Sequence, residues 1–285
     1  MITNKIAVIG AAAQLEQLTH IDVYSQYQIA LSIIDGKVKF ELLDSDKQLY
    51  DYDAIGFRHS SFARGLGQAI YYVLRKRIHF FDAKRMQIPV VNKLNATIIC
   101  ANRGVRVPNT LFYPRRKLNN VKTGAAILSR IFSLLGDVVV MKDIYSHRGK
   151  ANFLVHSVDD IRQVLQTNPK GTFMFQEFIP NDFDLRLLVI YNKTESCTKR
   201  MRHEKDEHRN NISIGATGTI MDVDQLADYA LIAQKITRIL EQEIAGVDLM
   251  QSTENGLWYF LESNYSPQID DESQETEAFR HYYVS

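Results

Sequence analysis

Cysteine, charge of one sign and long apolar runs are all scarce in this chain, and each scarcity argues against a class of protein. The two cysteines, Cys100 and Cys197, are too few for a disulfide framework and lack metal-ligand spacing, so we interpret both as reduced thiols of a cytoplasmic protein. The 34 basic residues balance 33 acidic ones, and a net charge of +1 does not favour a nucleic-acid partner. No segment approaches the roughly 18 apolar residues that would indicate a membrane-spanning helix.

The length and composition are sufficient for several folded lobes. With 285 residues, 45% of them hydrophobic, the chain can form two or three domains with their own cores. The apolar run at 6–13 resembles the start of a signal peptide, but it breaks at Gly10 and continues into a polar segment. This pattern favours the first strand of an α/β unit.

The first hundred residues alternate between strand and helix patterns. Strands are predicted at 6–10, 38–43, 54–58 and 88–91, and helices at 66–76 and 94–103. Such alternation is typical of an α/β layer. Gly104 ends the second helix and Arg-Val-Pro restarts the chain as an extended segment, which indicates a domain junction.

The remainder of the chain predicts an α+β lobe. Strands are predicted at 138–142, 151–155, 172–179 and 185–191, and helices at 124–135 and from Ser157 to 166. A later amphipathic helix carries its apolar face on Leu226, Tyr229, Ala230, Ala233, Ile236 and Leu240.

Three oxygen-bearing side chains fall on a predicted hairpin near the C-terminal end. Asp248 lies on its first strand, and Glu262 and Asn264 lie two residues apart on the second, so the latter two share a face. Hard oxygen ligands of this kind suit Mg²⁺. The alternative is that these are solvated surface residues, but Asp248 is embedded in an apolar strand, where an unpaired charge is costly.

Basic side chains follow two other strands. Lys142 ends an apolar strand before a polar loop at 143–150, a hairpin that could fold over phosphates, although a solvated lysine is the simpler interpretation. Arg200 and Arg202 would share a face if the strand continues through them, and both could then point at an anionic centre. The alternative for 199–209 is a solvated loop whose charges largely cancel.

A turn between two strands is flanked by Glu177 and Asp184, with Arg186 two residues further on. A carboxylate at such a site can bind ribose hydroxyls. The backbone before Pro180 offers a donor and an acceptor that suit an adenine edge.

Taken in order, these segments resemble the ATP-grasp superfamily, and most closely its RimK-like branch of carboxylate–amine ligases. The resemblance runs from about Val90 to Ile269 and rests on Gln176-Glu177-Phe178-Ile179 with Asp184-Leu185-Arg186, on Ala245-Gly246-Val247-Asp248, and on Leu261-Glu262-Ser263-Asn264-Tyr265-Ser266-Pro267. Residues 1–90 match only the general α/β pattern that precedes this domain. The chain departs from the family at Lys150-Ala151, Ala216 and Gln268, where glycine is usual, and the last of these lies near the expected acceptor entrance.

The resemblance implies a role for each of the following residues. Lys93 and Lys142 would contact the nucleotide phosphates, Gln176, Glu177, Phe178 and Ile179 would form the adenine-binding hinge, and Asp184 would face the ribose. Arg186 and Arg202 would be catalytic, holding the transferred phosphate or the substrate carboxylate, and Asn211 would assist at the nucleotide and metal site. Asp248, Glu262 and Asn264 would hold two Mg²⁺ ions, or Mn²⁺ in their place.

We therefore expect an α/β and α+β chain with the ATP-grasp fold. Its expected parts are a pre-ATP-grasp α/β domain at 1–90, a small lobe with a linker helix at 91–175, and a large lobe with the metal site at 176–285. The expected enzyme uses ATP to join a carboxylate, such as that of an amino acid or peptide, to an amine or hydroxyl acceptor through an acyl phosphate. Arg58, His59, Ser60 and Arg64 are candidates for substrate contact, with a solvated loop as the alternative.

Two other functions and the assembly state stay open at this stage. An ATP-grasp kinase that phosphorylates a small-molecule hydroxyl would use the same lysines and metal ligands. A nucleotide-binding module without catalysis would keep the fold alone. The sequence does not define the oligomeric state, and a homo-oligomer is compatible with it.

Overall fold

The computed structural model describes residues 5–10, 20–58, 65–81, 83–87, 92–120, 122–146, 151–201, 217–265 and 267. The chain divides into two compact units. The first consists of Met1–Asn102, Asn109–Tyr145 and Ala151–Phe178, and the second of Arg103–Pro108, Ser146–Lys150 and Ile179–Ser285.

The strands are β1 (Ile6–Ile9), β2 (Ile21–Tyr24), β3 (Ile29–Ile34), β4 (Lys37–Leu42), β5 (Ala54–Phe57), β6 (His79–Phe80), β7 (Thr110–Phe112), β8 (Val139–Asp143), β9 (Asn152–Val155), β10 (Phe173–Glu177), β11 (Phe183–Ile190), β12 (Lys193–Met201), β13 (Thr217–Met221), β14 (Ile244–Gln251) and β15 (Trp258–Asn264). The helices are α1 (Leu66–Leu74), α2 (Lys93–Asn102), α3 (Arg115–Leu118), α4 (Gly124–Leu135), α5 (Val158–Thr167) and α6 (Ala227–Ile239). Short 3₁₀ turns occupy Gln26–Gln28, Leu49–Asp51, Ala83–Met86 and Val223–Leu226.

The first unit contains two sheets. One is parallel, with the order β2-β1-β5-β6, and the other is antiparallel, with the order β4-β3-β7-β10-β8-β9. Helices α4 and α5 bury their apolar faces with the antiparallel sheet in one core, which includes Ile131, Ile161 and Phe175. The Ser157 hydroxyl accepts a hydrogen bond from the Asp160 amide and caps α5, as predicted.

The second unit is built on one antiparallel sheet of order β13-β12-β11-β14-β15. Helix α6 packs against β11, β12 and β14, and its Ala230, Ala233 and Ile236 are buried. This is the predicted amphipathic helix, placed behind the predicted hairpin of β14 and β15. The other face of the sheet is thereby left to carry polar side chains.

The sheet partners differ in part from the sequence expectations. The strand predicted at 38–43 is β4, and it joins the sheet of β7 to β10 rather than the parallel layer. Strands β2, β3, β6, β7 and β13 and helix α3 were not predicted, and β12 was considered only as a conditional strand at 199–202. The strand expected at 88–91 lies outside the described residues. The other predicted helices and strands are confirmed within a few residues at each end, Gly124–Leu135 among them. The division at residues 90 and 175 stays a prediction.

Within the described ranges, no helix is long and apolar enough to cross a membrane. Cys100 and Cys197 are both buried and are not joined in a disulfide. Burial raises the pKa of the Cys197 thiol to about 12.

Candidate active site

The candidate site of the second unit lies on one face of its five-stranded sheet. The strand register places Asp184 opposite Arg200, Arg186 opposite Asp248, and Asp248 opposite Glu262. Because directly opposed residues in an antiparallel pair point to the same side, all of these side chains share a face. The predicted proximity of Asp248 and Glu262 is therefore confirmed.

Two arginines and two aspartates form a charge array on this face. Arg200 donates from Nε to Asp184 Oδ1 at 2.5 Å and from Nη2 to Asp248 Oδ2 at 3.0 Å. Arg186 Nη1 lies 3.3 Å and 3.4 Å from the two carboxylate oxygens of Asp248. The side chains of Arg200, Asp184 and Asp248 are only 4–6% exposed, whereas that of Arg186 is 19% exposed. Arg186 is thus the cation of the array that solutes can reach most easily.

The electrostatics of the array keep Arg200 charged despite its burial. Burial alone would lower the pKa of its guanidinium, but the charges of Asp248 and Asp184 and their hydrogen bonds raise that pKa overall. Two positive and two negative groups compensate one another, which is what buried charges require. Sequence reasoning considered Arg200 only as a neighbour of Arg202 and did not predict this central position.

Glu262 and Asn264 extend the array on β15. The Asn264 amide nitrogen donates to Glu262 Oε1 at 2.8 Å, which confirms that the two side chains share a face. Both residues are half-buried. The Asn264 side-chain NH₂ group donates to Glu262, and its carbonyl oxygen remains available as an acceptor.

The side-chain oxygens of Glu262 and Asn264 suit Mg²⁺, whereas those of Asp248 are already hydrogen-bonded to arginine. Glu262 and Asn264 offer the oxygen ligands that Mg²⁺ prefers. Both carboxylate oxygens of Asp248 already accept hydrogen bonds from arginine, so a metal would compete with Arg186 for them. Among the described residues no group of three His, Cys, Asp or Glu side chains could hold a metal, and the predicted set of two carboxylates and one amide is not of that kind.

The predicted nucleotide lysines lie in the first unit. Lys93 begins α2, and its Nζ lies 3.5 Å from the carbonyl oxygen of Asp143, the last residue of β8. Lys142 precedes Asp143 on β8 and pairs with Met174 of β10. The two lysines thus project from neighbouring elements of one unit.

Three of the predicted adenine-binding residues belong to the first unit and one to the second. In the first unit, the Glu177 carboxylate accepts hydrogen bonds from the backbone amide and side-chain amide of Asn109, at 2.8 Å and 3.0 Å. Burial raises the pKa of Glu177, although the bonds from Asn109 oppose that shift. Gln176 is buried, with its amide nitrogen bonded to Thr110 and its carbonyl oxygen without a partner among the described residues. Phe178 ends the first unit, and Ile179 packs in the second.

Several predicted residues cannot be placed. Arg202 and Asn211 lie outside the described residues, as do His59, Ser60 and Arg64 of the candidate substrate loop. Arg58 is described and follows β5, at the carboxyl end of a parallel strand.

Comparisons with known proteins identify the family of this chain. Residues 90–278, more than half of the chain, match the model of the RimK-like ATP-grasp domain. A probable α-L-glutamate ligase of Histophilus somni is 25% identical over 263 residues, which cover 88% of this chain and 83% of that protein. β-Citrylglutamate synthase B of Danio rerio is 23% identical over 201 residues, which cover 64% of this chain but only 45% of that protein.

A solved structure supports the same fold. The D-alanine–D-alanine ligase of Bacillus anthracis, complexed with ATP, superposes with a TM-score of 0.51 at 15% identity, covering 98% of this chain and 92% of that one. The fold is therefore that of the ATP-grasp enzymes. The chain belongs to the RimK-like ATP-grasp family. It is an ATP-dependent ligase that joins a carboxylate to an amine, and ligases of this type use ATP together with Mg²⁺.

Proposed function

We propose that the chain activates a carboxylate with ATP and joins it to the amino group of L-glutamate. The Arg186–Asp248–Arg200–Asp184 array beside Glu262 carries this proposal, because it places a partly exposed cation next to oxygen ligands on one sheet. The choice of L-glutamate is supported by the names of relatives, which include a coenzyme γ-F420-2:α-L-glutamate ligase of Methanocaldococcus jannaschii, 27% identical over 134 residues that cover 45% of this chain.

The proposed nucleotide contacts keep the roles expected from the sequence. Lys93 and Lys142 bind the phosphates, the backbone of 176–179 binds the adenine, and Asp184 contributes to the ribose pocket. Asn211 and Arg202 complete the site. Glu262 and Asn264 would hold Mg²⁺ beside Asp248, which keeps Arg186 in place. When bound, the metal neutralises charge on the nucleotide phosphates.

The proposed reaction has two steps. A carboxylate oxygen attacks the γ-phosphorus of ATP, and ADP leaves with the bridging oxygen. The glutamate nitrogen then attacks the acyl carbon, inorganic phosphate leaves, and the nitrogen gives up a proton. Arg186 would hold the negative oxygens that develop in the first step, while Arg200 keeps Asp184 and Asp248 in place behind it.

The direct test combines product mass with nucleotide release. The full chain is incubated with ATP, Mg²⁺, L-glutamate and one carboxylate at a time: citrate, a second L-glutamate, or a short peptide with a free C-terminus. We expect ADP release that depends on both substrates, and a product whose mass is their sum less one water. ADP release with a stable phosphorylated product would instead support a kinase.

A second test addresses the metal site without turnover. ATP binding is measured by calorimetry with and without Mg²⁺ on the native chain and on a Glu262→Gln, Asn264→Ala double variant. We expect the variant to lose the Mg²⁺-dependent part of the affinity. The matched control is Glu254→Gln, Asn255→Ala, which changes the same residue types in the turn of the same hairpin and should bind as the native chain does. Equal binding by both double variants would exclude Glu262 and Asn264 as metal ligands.

A further inference from the structure

Gly246 on β14 occupies the place where a side chain would meet the guanidinium of Arg186. A Cβ added at Gly246 would lie 2.9 Å from Arg186 Nη2, 3.1 Å from Arg186 Nε and 3.1 Å from Pro267 Cβ. Gly246 pairs with Leu188 of β11 and Asn264 of β15, so it is on the face that carries the charge array. The space above this residue is filled by the arginine.

The backbone does not account for a glycine at this position. Gly246 is not among the residues with positive φ, and the register shift between β14 and β15 lies further along, between Asp248 and Leu249. Glycine weakens a strand interior and often marks a site where another group approaches closely. Here the approaching group is the head of Arg186, which reaches along β14 from residue 246 to the carboxylate of Asp248.

We propose that Gly246 is a positioning residue, whose missing side chain forms the slot that holds the Arg186 guanidinium against Asp248. The inference rests on the proposed function, in which Arg186 binds the transferred phosphate or the substrate carboxylate. An added methyl group would press on the end of the flexible Arg186 side chain and on the Pro267 ring, and not on backbone, so we expect the fold to tolerate it. The arginine, however, loses its place over Asp248.

The first test separates catalysis from folding. Gly246→Ala is compared with Gly56→Ala on β5, where the one contact within 4 Å among the described residues is with Phe81 at 3.5 Å, an ordinary distance. We expect both variants to melt within a few degrees of the native chain. We expect Gly246→Ala to lower kcat for ADP release by roughly ten- to a hundred-fold, the scale of a misplaced catalytic group, with ATP affinity unchanged. Equal kcat in both variants would overturn the inference.

A second test asks whether the effect passes through Arg186. Arg186→Lys is made alone and together with Gly246→Ala. If the glycine acts by positioning the guanidinium, the kcat of the double variant should be close to that of Arg186→Lys alone, because the same interaction is lost only once. Effects that multiply would show that Gly246 acts independently of Arg186 and would overturn the proposal.

A spectroscopic measurement keeps the inference separate from the proposed activity. The Nε–H signal of Arg186 is identified in ¹⁵N spectra by its loss in Arg186→Lys. We expect Gly246→Ala, but not Gly56→Ala, to shift that signal, whatever substrate the enzyme takes. A native chain that releases no ADP with any substrate pair would contradict the proposed function, whereas an unshifted Arg186 signal would contradict this inference alone.

Discussion

Arg200 and Asp184 face each other directly across β11 and β12, and the guanidinium Nε lies 2.5 Å from the carboxylate oxygen. The same guanidinium reaches Asp248 on the far side of β11, at 3.0 Å. One buried cation therefore joins three strands of the sheet. Since it pairs with both buried carboxylates, Arg200 should matter for the fold as well as for the site.

We predict that Arg200→Met destabilises the chain strongly. Methionine fills a similar volume but leaves Asp184 and Asp248 buried with less compensation, a loss that typically costs about 3–5 kcal/mol. Urea unfolding followed by circular dichroism measures it. The control is Arg162→Met, whose partner Asp159 is 86% exposed, and it should cost less than about 1 kcal/mol. Similar losses in the two variants would mean that the Arg200 pairs add nothing beyond a surface ion pair.

Local sequence patterns were sufficient to predict the hairpin of β14 and β15 but not the position of Arg200. A turn signal at 252–256 makes β14 and β15 neighbours, and the two-residue period then sets the faces of Asp248, Glu262 and Asn264. Strands β11 and β12 are joined through Tyr191 and Asn192, with φ of 44° and 65°, a turn conformation that a tyrosine does not indicate. Without that turn, the opposition of Arg200 and Asp184 could not be derived.

For the hairpin of β3 and β4, the sequence contains the turn signal but not the partner strand in the sheet. Asp35-Gly36 adopts positive φ at both residues and connects the strands in two residues, which is a favoured hairpin turn. The sequence therefore contained a signal for β3. Its pairing with β7, more than seventy residues away, follows from burial of both strands in a common sheet and has no local signature.

We predict that the two thiols are unreactive in the native chain. Disulfide reagents attack the thiolate, and burial raises the pKa of Cys197 to about 12, so almost none is ionised at pH 8. Cys100 is equally buried. Ellman's reagent at pH 8 should titrate no thiol within minutes and two after addition of guanidinium chloride. Rapid labelling of one thiol without denaturant would place that cysteine at an accessible site instead.

The pH dependence of stability should report on Glu177. Because its pKa is raised in the folded chain, the unfolded chain loses the proton first as pH rises. The contribution of Glu177 to stability is thus complete below its ordinary pKa of 4.5 and is lost as pH rises through the folded value. Relative to Glu177→Gln, the native chain should lose free energy of unfolding over that window, measured by urea titrations from pH 4 to 7. If the difference in free energy of unfolding instead grew in favour of the native chain as pH rises, a raised pKa of Glu177 would be contradicted.

Arg186 and a metal ion should compete for Asp248, and this competition can be measured without nucleotide. The guanidinium touches both carboxylate oxygens from 3.3 Å and 3.4 Å, so a divalent cation must displace it and meets its positive charge. We predict that Arg186→Met binds Mn²⁺ several-fold more tightly than the native chain in titrations followed by electron paramagnetic resonance. Adding Asp248→Asn should abolish that gain, since the amide carries no charge. If Arg186→Met leaves Mn²⁺ affinity unchanged, Asp248 does not ligate the metal, and Glu262 with Asn264 would hold it alone.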